Sequence, residues 1–236
     1  MSYKKKYQRE VEDLLYVCKR LSDRMYVTGY GGNLSIKLEN DLLLITPTLM
    51  YKANITAEDV VFIDLKGNVV KGKNKPTSEI STYLKLYNNR PDIISVIHCH
   101  PPYTNVFAIT EGKNFLMRPI FPETCVEVGP VPVVPYGESL TQQLTDKNEL
   151  FVQKYNAFLI ENHGPFIIST EDIVRTMQIV EILEVTSMAI LGALAIGKVK
   201  ELSKQDVANL DNAIKTRKLP MIGAPGVNKS LMDLYF

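Results

Sequence analysis

The chain has 236 residues, of which 45% are apolar and 22% are charged, and its formal net charge at pH 7 is +1. That balance is ordinary for a globular protein, and it lacks the basic excess of a nucleic-acid-binding protein. The three cysteines are too few and too far apart for a disulfide framework, which favours a reducing, cytoplasmic location.

The first part of the chain predicts a helix followed by two strands. Apolar residues at helical spacing predict an opening helix over residues 5–25. The stretch TGYGGNLSIK, residues 28–37, breaks this helix with three glycines and then enters a strand. A second strand, DLLLITPT at residues 41–48, follows at once, and Asn40-Asp41 supplies the turn between the two.

A hairpin and a short helix come next. The stretch VVFIDLKGNVVKG, residues 60–72, predicts two strands joined through Lys66-Gly67-Asn68. The stretch PTSEISTYLKLYNNRPD, residues 76–92, predicts a helix opened by Thr77 or Ser78, with asparagine and aspartate residues closing it.

The remaining elements are buried strands and one long helix. IISVIHCH at residues 93–100 is apolar and β-branched, and AFLIENHGPFIIS at residues 157–169 predicts a strand pair or a bent strand. Residues 171–196 predict the longest helix, capped by Ser169 or Thr170. No stretch approaches the ~20 apolar residues of a membrane span, so we expect no membrane contact.

The sequence contains only three histidines, and two of them, His98 and His100, stand one residue apart in an apolar run. On a strand these two imidazoles would share a face. The third, His163, lies at another strand end beside Gly164, where the chain can turn towards a ligand. Three neutral imidazoles leave a fourth position open on Zn²⁺, as in catalytic sites. Buried histidines are usually satisfied core residues, so spacing alone leaves both interpretations open.

Two further fragments are compatible with an anion site. In KPTSEIS, a helix N-terminus with Thr77 and Ser78 could bind a phosphate, although a simple capping motif explains that fragment more often. TGYGGNLS follows a helix and has Leu34 where a dinucleotide fingerprint needs glycine, so it is not that fingerprint. It can still form a backbone nest for an anion, with Thr48 contributing to the same site.

Seven stretches in order resemble the class II aldolases of the L-fuculose-phosphate aldolase type, with L-ribulose-5-phosphate 4-epimerase as a relative. These stretches are GGNLSIK, LLITPT, VVFID with KGNVVKG, KPTSE, VIHCHPP, VPVVPYG and ENHGPFI. The resemblance implies an α/β fold, namely a single three-layer α/β/α domain over residues 1–236 with a central, mostly antiparallel sheet flanked by helices. Residues 197–236 form a C-terminal extension that can reach a neighbouring subunit. A homotetramer with active sites at subunit interfaces is also implied.

The resemblance also assigns roles to residues. It implies a metal site of Zn²⁺, or another divalent transition metal, held by His98, His100, His163 and Glu79. Glu79 would leave the metal to act as the base. A cradle for the substrate phosphate would consist of Asn33, Thr48, Thr77 and Ser78. The implied reaction cleaves a ketose 1-phosphate such as L-fuculose 1-phosphate to dihydroxyacetone phosphate and an aldehyde, through a metal-stabilised enediolate.

Some positions depart from the aldolase pattern. Leu49 stands where a glycine usually follows ITPT, and Phe121 stands where a tyrosine donor is expected. Glu123 lies near the position of an acid/base carboxylate in related epimerases and dehydratases, so it is either a second proton carrier or an ordinary surface carboxylate. In the unmatched C-terminal region, Tyr235 is a candidate for reaching a neighbouring subunit.

Three alternatives to the aldolase stay open. Two of them keep the metal: an epimerase, for which Glu79 is less suitable than the aspartate of that enzyme, and a dehydratase or decarboxylase acting on a sugar or sugar-acid phosphate. The third is a non-catalytic scaffold module like the adducin relatives, which have lost the metal ligands that this chain keeps.

Overall fold

The protein is described by a computed structural model that covers residues 3–135 and 152–236. Its strands form one eight-stranded sheet in the order β4-β3-β2-β1-β5-β8-β7-β6, in which only the pair β6–β7 is parallel. The strands are β1 Asn33–Lys37, β2 Leu42–Ile45, β3 Val61–Asp64, β4 Val69–Lys71, β5 Ser95–His98, β6 Val133–Val134, β7 Ala157–Ile160 and β8 Gly164–Ser169. The predicted hairpin and strand pair are confirmed, whereas the end of the VPVVPYG motif lies outside the described residues.

Helices cover both faces of this sheet. Side chains alternate between the two faces along β2. Leu42 and Leu44 enter a core shared with α2 (Gln8–Asp23) and α6 (Ile173–Ile196), whereas Leu43 and Ile45 enter a second core beneath α3 (Ile80–Asn89). The predicted three-layer α/β/α architecture is therefore confirmed. The helices are α1 Tyr3–Lys6, α2 Gln8–Asp23, α3 Ile80–Asn89, α4 Pro102–Ala108, α5 Pro122–Glu127, α6 Ile173–Ile196, α7 Lys204–Arg217 and α8 Leu231–Tyr235.

Two helix starts differ from the predictions. Helix α3 begins at Ile80 with Glu79 as its N-cap residue, later than Thr77 or Ser78, and the Glu79 side chain makes no capping hydrogen bond. Helix α6 begins at Ile173, and its cap is Asp172, whose Oδ1 accepts the backbone N–H of Arg175 at 2.8 Å. A carboxylate at this position satisfies a free N–H group and favours the positive helix end.

Helix α6 also corrects the expectation that no segment is apolar enough to span a membrane. By length and composition alone, its 24 residues pass that test. The apolar character has another origin, because one side of the helix fills the core with residues such as Ile173, Val180 and Ile190. Near its end the helix leaves apolar side chains in solvent, and Ile196 is 92% exposed.

The C-terminal extension folds back onto its own chain. Helices α7 and α8 pack with α5 around a small apolar cluster that includes Cys125, Ile214 and Leu231. The buried guanidinium of Arg90 donates to the carbonyl oxygen of Gly223 at 3.0 Å and so ties the extension to α3. Tyr235 lies beside Cys125, where burial is the main cause that raises the pKa of the phenol.

Candidate active site

The three histidines meet on the side of the sheet that carries α3. His98 is the last residue of β5, opposite Asn33 of β1 and Phe166 of β8. Alternation along β5 turns Ile97 into the core beneath α2 and α6, and it turns His98 to the other face. There the His98 ring stacks on Phe166 with ring centroids 4.3 Å apart.

His100 lies beyond the strand, so the prediction that both histidines occupy one strand is wrong. Strand β5 ends at His98, and the backbone N–H of His100 donates to the carbonyl oxygen of Tyr26 at 2.7 Å. Gly164 allows the His100 ring to approach β8, because a Cβ atom there would lie 2.7 Å from Cδ2 of His100. His163 directly precedes Gly164 in the turn between β7 and β8.

The ring nitrogens of the histidines converge. Nε2 of His98 lies 3.2 Å from Nε2 of both His100 and His163. One potential ligand nitrogen from each ring lies within 4.8 Å of the others. Nitrogen ligands at ~2.0 Å from a tetrahedral zinc ion lie about 3.3 Å apart. The spacing therefore fits a single divalent cation held by all three rings.

The protonation of these rings also suits metal binding. Nδ1 of His98 lies 2.9 Å from the carbonyl oxygen of Pro165, which assigns the proton to Nδ1 and leaves the lone pair of Nε2 free. Burial, with the neighbouring His163, lowers the pKa of His98 to about 3. Burial and the other two rings lower the pKa of His100 to about 3. Both rings are therefore neutral at pH 7, as metal ligands must be.

Glu79, the N-cap residue of α3, lies next to the three histidines. Its carboxylate is buried, with Oε2 at 3.7 Å from Nε2 of His98 and Oε1 at 3.7 Å from Nε2 of His163. Oε2 accepts a hydrogen bond from Nδ2 of Asn33, whereas Oε1 is buried and has no hydrogen-bond partner among residues 3–135 and 152–236. A buried, unpaired carboxylate oxygen beside imidazole nitrogens needs an explanation, and a bound cation supplies one. The donor set therefore fits a divalent metal.

One cavity of about 200 Å³ collects nearly all the residues that the sequence nominates. The segments KPTSE and ITPT lie side by side at this cavity, joined by two backbone hydrogen bonds. The N–H of Thr48 donates to the carbonyl oxygen of Lys75, and the N–H of Thr77 donates to the carbonyl oxygen of Thr46. The nominated residues that line the cavity are Asn33, Thr48, Thr77, Ser78, Glu79, His98, His100 and His163.

Asn33 also contacts Glu79, and its predicted role in binding the phosphate stays a prediction. Its amide nitrogen donates to the Glu79 carboxylate, and its backbone carbonyl oxygen accepts a hydrogen bond of 2.7 Å from the hydroxyl of Tyr83. The side chain thus positions the carboxylate in this arrangement while it lines the cavity. Thr48 and Ser78 reach solvent at the same cavity and keep their hydroxyls available to a ligand.

Two cavity residues were missed or misjudged from the sequence. Leu49, at the position of the expected glycine, has a left-handed backbone with φ of 55°, and its side chain is 72% exposed. This backbone conformation is one that favours glycine. Lys52 also lines the cavity and is only 2% exposed. Its position after an exposed tyrosine in an irregular stretch offers no periodic signal that predicts burial.

Glu123, which the sequence also nominates, does not line the cavity of the histidines. It is an exposed residue in the first turn of α5, and it borders a separate cleft of about 840 Å³ together with Tyr26, Phe121 and Val185. Within one chain, Glu123 and the histidines therefore line different cavities. Any contact between them requires a second copy.

Known sequences are similar to most of this chain. The sequence profile described as Class II Aldolase and Adducin N-terminal domain matches residues 12–191. A 3-oxo-tetronate 4-phosphate decarboxylase from Pectobacterium atrosepticum is 31% identical over 205 residues, which cover 86% of this chain and 93% of that protein. An L-fuculose phosphate aldolase from Methanococcus maripaludis is 32% identical over 175 residues, which cover 74% of this chain and 92% of that protein.

Solved structures share the fold. The crystal structure of YgbL from Klebsiella pneumoniae aligns with a TM-score of 0.80 and 28% identity, over 86% of this chain and 98% of that one. An L-fuculose 1-phosphate aldolase aligns with a TM-score of 0.75 and 26% identity, over 88% of this chain and 96% of that one. The layered architecture is thus common to both.

Proposed function

The chain belongs to the class II aldolase and adducin family, and from this premise we propose that it is a zinc-dependent aldolase. Its substrate is a ketose 1-phosphate resembling L-fuculose 1-phosphate, and its products are dihydroxyacetone phosphate and an aldehyde. The observation that supports this best is the convergence of three imidazole nitrogens and the Glu79 carboxylate in a cavity lined by hydroxyl groups.

Each part of the site has a chemical task in this reaction. A divalent cation on the three imidazoles supplies Lewis-acid polarisation of the substrate carbonyl. Glu79 carries a proton to or from the carbon beside that carbonyl, because its Oε1 has no hydrogen-bond partner in the part of the chain that the structure describes. Asn33 holds the other carboxylate oxygen in place. Thr48, Thr77 and Ser78 orient the remote phosphate, which fixes the reacting carbon relative to Glu79.

We assign the second proton transfer to Glu123 of a neighbouring subunit in a cytoplasmic homotetramer. Glu123 is exposed beside Phe121, whose apolar ring is 41% exposed, so this surface is available to another copy. Mixing two inactive variants, Glu79→Gln and Glu123→Gln, tests the assignment. Random mixing of equal amounts should restore about a quarter of the sites if they form between subunits. A mixture as inactive as its components would contradict it.

A second candidate is decarboxylation of a 3-oxo sugar-acid phosphate. Loss of CO₂ from such an acid and cleavage of an aldol both leave an electron pair on the carbon beside a carbonyl. The same cation and proton carrier therefore serve both reactions. Phe121, which has no hydroxyl at the expected tyrosine position, and the named decarboxylase relative favour this candidate.

A substrate panel separates the candidates. The full-length protein, loaded in turn with Zn²⁺, Co²⁺, Mn²⁺ or Fe²⁺, is incubated with L-fuculose 1-phosphate, L-rhamnulose 1-phosphate, L-ribulose 5-phosphate and 3-oxo-tetronate 4-phosphate. Release of dihydroxyacetone phosphate together with an aldehyde from a ketose 1-phosphate supports the aldolase. Release of CO₂ from 3-oxo-tetronate 4-phosphate, which also leaves dihydroxyacetone phosphate, supports the decarboxylase. Turnover of neither kind by any metal form would overturn both. Metal quantification in the same samples tests the scaffold alternative, which predicts no bound metal.

A further inference from the structure

Lys52 is a buried cation whose set of partners is incomplete. It opens the short 3-10 helix Lys52–Asn54, and its Nζ donates to the carbonyl oxygens of Met50 at 3.0 Å and Tyr30 at 3.3 Å. An ammonium group has three donors, so one remains without an acceptor among the described residues. Within residues 3–135 and 152–236, Lys52 forms no ion pair with a carboxylate.

This ammonium group is a constituent of the candidate active site. Lys52 lines the same cavity as the three histidines, Thr48, Thr77 and Ser78. Its positive charge acts on Glu79 and on the ring of His100. Burying a cation with no carboxylate in contact is costly, because two carbonyl dipoles replace only part of its hydration. An anionic ligand in this cavity would supply a counter-charge in direct contact with the ammonium group.

We infer that Lys52 is the charged contact for the phosphate group of the substrate, an inference that rests on the proposed function. Phosphate is favoured over carboxylate because hydroxyl donors line the same cavity, and a compact ammonium with several hydroxyls matches three phosphate oxygens. The three histidines would hold the divalent cation that polarises the carbonyl at the other end of the substrate. Lys52 adds the charge that the neutral hydroxyls of Thr48, Thr77 and Ser78 lack.

Binding of glycerol 3-phosphate tests this inference without turnover. Calorimetry compares the full-length protein with Lys52→Met, in metal-free and zinc-loaded form. We expect Lys52→Met to weaken glycerol 3-phosphate about 10- to 100-fold, the range for losing a charged hydrogen bond. The Kd of the unvaried protein should rise more steeply with added NaCl than that of the variant. Glycolate, which carries a carboxylate only, should bind both forms alike.

The control variant is Lys73→Met, which removes the same charge from an exposed residue paired with Asp59 outside the cavity. It should bind glycerol 3-phosphate as the unvaried protein does. Thermal unfolding verifies that Lys52→Met is folded, and Lys52→Gln replaces it if the thioether is not tolerated.

The outcomes separate this inference from the proposed function. Unchanged glycerol 3-phosphate affinity in a folded Lys52 variant overturns the inference, as does a protein that binds no glycerol 3-phosphate at all. A loss specific to glycolate also overturns it and reassigns Lys52 to a carboxylate. Phosphate binding that depends on Lys52, in a protein that cleaves no sugar phosphate, supports the inference while removing the proposed function.

Discussion

The side-chain amide of Asn33 donates a hydrogen bond to Oε2 of Glu79, which lies 46 positions further along the chain. This contact joins the first residue of β1 to the residue that precedes α3. It restrains one carboxylate oxygen and leaves Oε1 turned towards His163 at 3.7 Å. Asn33 thus holds Oε2 of Glu79 in place, and Oε1 is the oxygen that we propose transfers the proton.

Replacing Glu79 by Gln should separate metal binding from proton transfer. The amide keeps the shape of the side chain but cannot accept a substrate proton, so we expect turnover to fall about 10²- to 10⁴-fold. Bound metal should change little, because the three imidazoles remain. Measuring kcat beside the metal content of the same preparation checks this. A kcat that falls less than tenfold would exclude Glu79 as the principal base.

His163→Ala should remove the metal with little damage to the fold. His163 lies in a turn outside the strands and is partly exposed, so the apo variant should lose at most about 1 kcal/mol of unfolding free energy. Added zinc should raise the thermal midpoint of the unvaried protein but not that of the variant. His98→Ala should also lose the metal, but with extra destabilisation because its ring stacks on Phe166. Equal zinc stabilisation of His163→Ala would contradict a three-imidazole site.

The metal-free protein should lose stability as the pH falls from about 6.5. Burial lowers the pKa of His98 and His100 in the folded chain to about 3, whereas unfolded histidine titrates near ~6.5. Between these values the unfolded chain binds more protons, so stability is complete above pH 6.5 and declines below it. The slope should reach at most about 1.4 kcal/mol per pH unit for each ring.

Urea unfolding between pH 5 and 6.5 measures this slope, since most carboxylates stay ionised in that window. His100→Gln should reduce the slope by about half, because one of the two titrating rings is removed. A slope that does not change in this variant would show that other groups control the acid sensitivity.

Glu184 positions the segment that follows the paired histidines. Its buried carboxylate accepts the backbone N–H of Tyr103 at 2.9 Å, and the N–H and hydroxyl of Thr104 at 2.8 and 2.7 Å. Glu184→Gln leaves a poorer acceptor there, and we expect about 1–3 kcal/mol of destabilisation. Zinc affinity should fall about tenfold or more, because α4 begins two residues after His100.

The control for Glu184 is Glu171→Gln near the start of the same helix, whose exposed side chain pairs with Arg175 at 3.3 Å. It should change stability by less than about 0.5 kcal/mol. Thermal unfolding and zinc titration of both variants check the prediction. Similar effects of the two substitutions would remove the positioning role.

Leu49→Gly should relieve backbone strain at the cavity. Leu49 has φ of 55°, a left-handed conformation that costs a residue with Cβ about 1 kcal/mol. Part of that gain is offset by the greater freedom of unfolded glycine, so we expect a net gain of about 0–1 kcal/mol. Met25→Gly is the matched control, since Met25 has φ of 59° away from the cavity. Only Leu49→Gly should alter the affinity for glycerol 3-phosphate, and an identical affinity would contradict this.

Local patterns predicted the sheet and the histidines well, because alternating burial and imidazole spacing are properties of short segments. The alternation through Leu42–Ile45 is an example, since each side chain enters the core expected for its face. Burial of Lys52 could not be predicted, because one of its two carbonyl partners, Tyr30, belongs to a different loop. The partner of Asn33 was missed for the same reason, since Glu79 approaches it only after α3 packs on the sheet.

The start of α6, its apolar length and the place of Glu123 were not predicted, for other reasons. Asp172 competes with Ser169 and Thr170 for one cap, and the sequence does not rank neighbouring caps reliably. The prediction that no segment is apolar enough for a membrane span overlooked α6, whose packed side lies in the core. The place of Glu123 in a separate cleft follows from tertiary structure and carries no local signal.

His98 precedes His163 by 65 positions, and His100 lies two positions after His98. During synthesis the paired imidazoles therefore leave the ribosome well before the third one exists. A chain at that stage has only two of the three imidazoles besides Glu79, and the complete triad arises when β8 has paired with β5. We therefore expect tight metal uptake to follow folding in time, which disfavours premature capture of scarce ions by nascent chains.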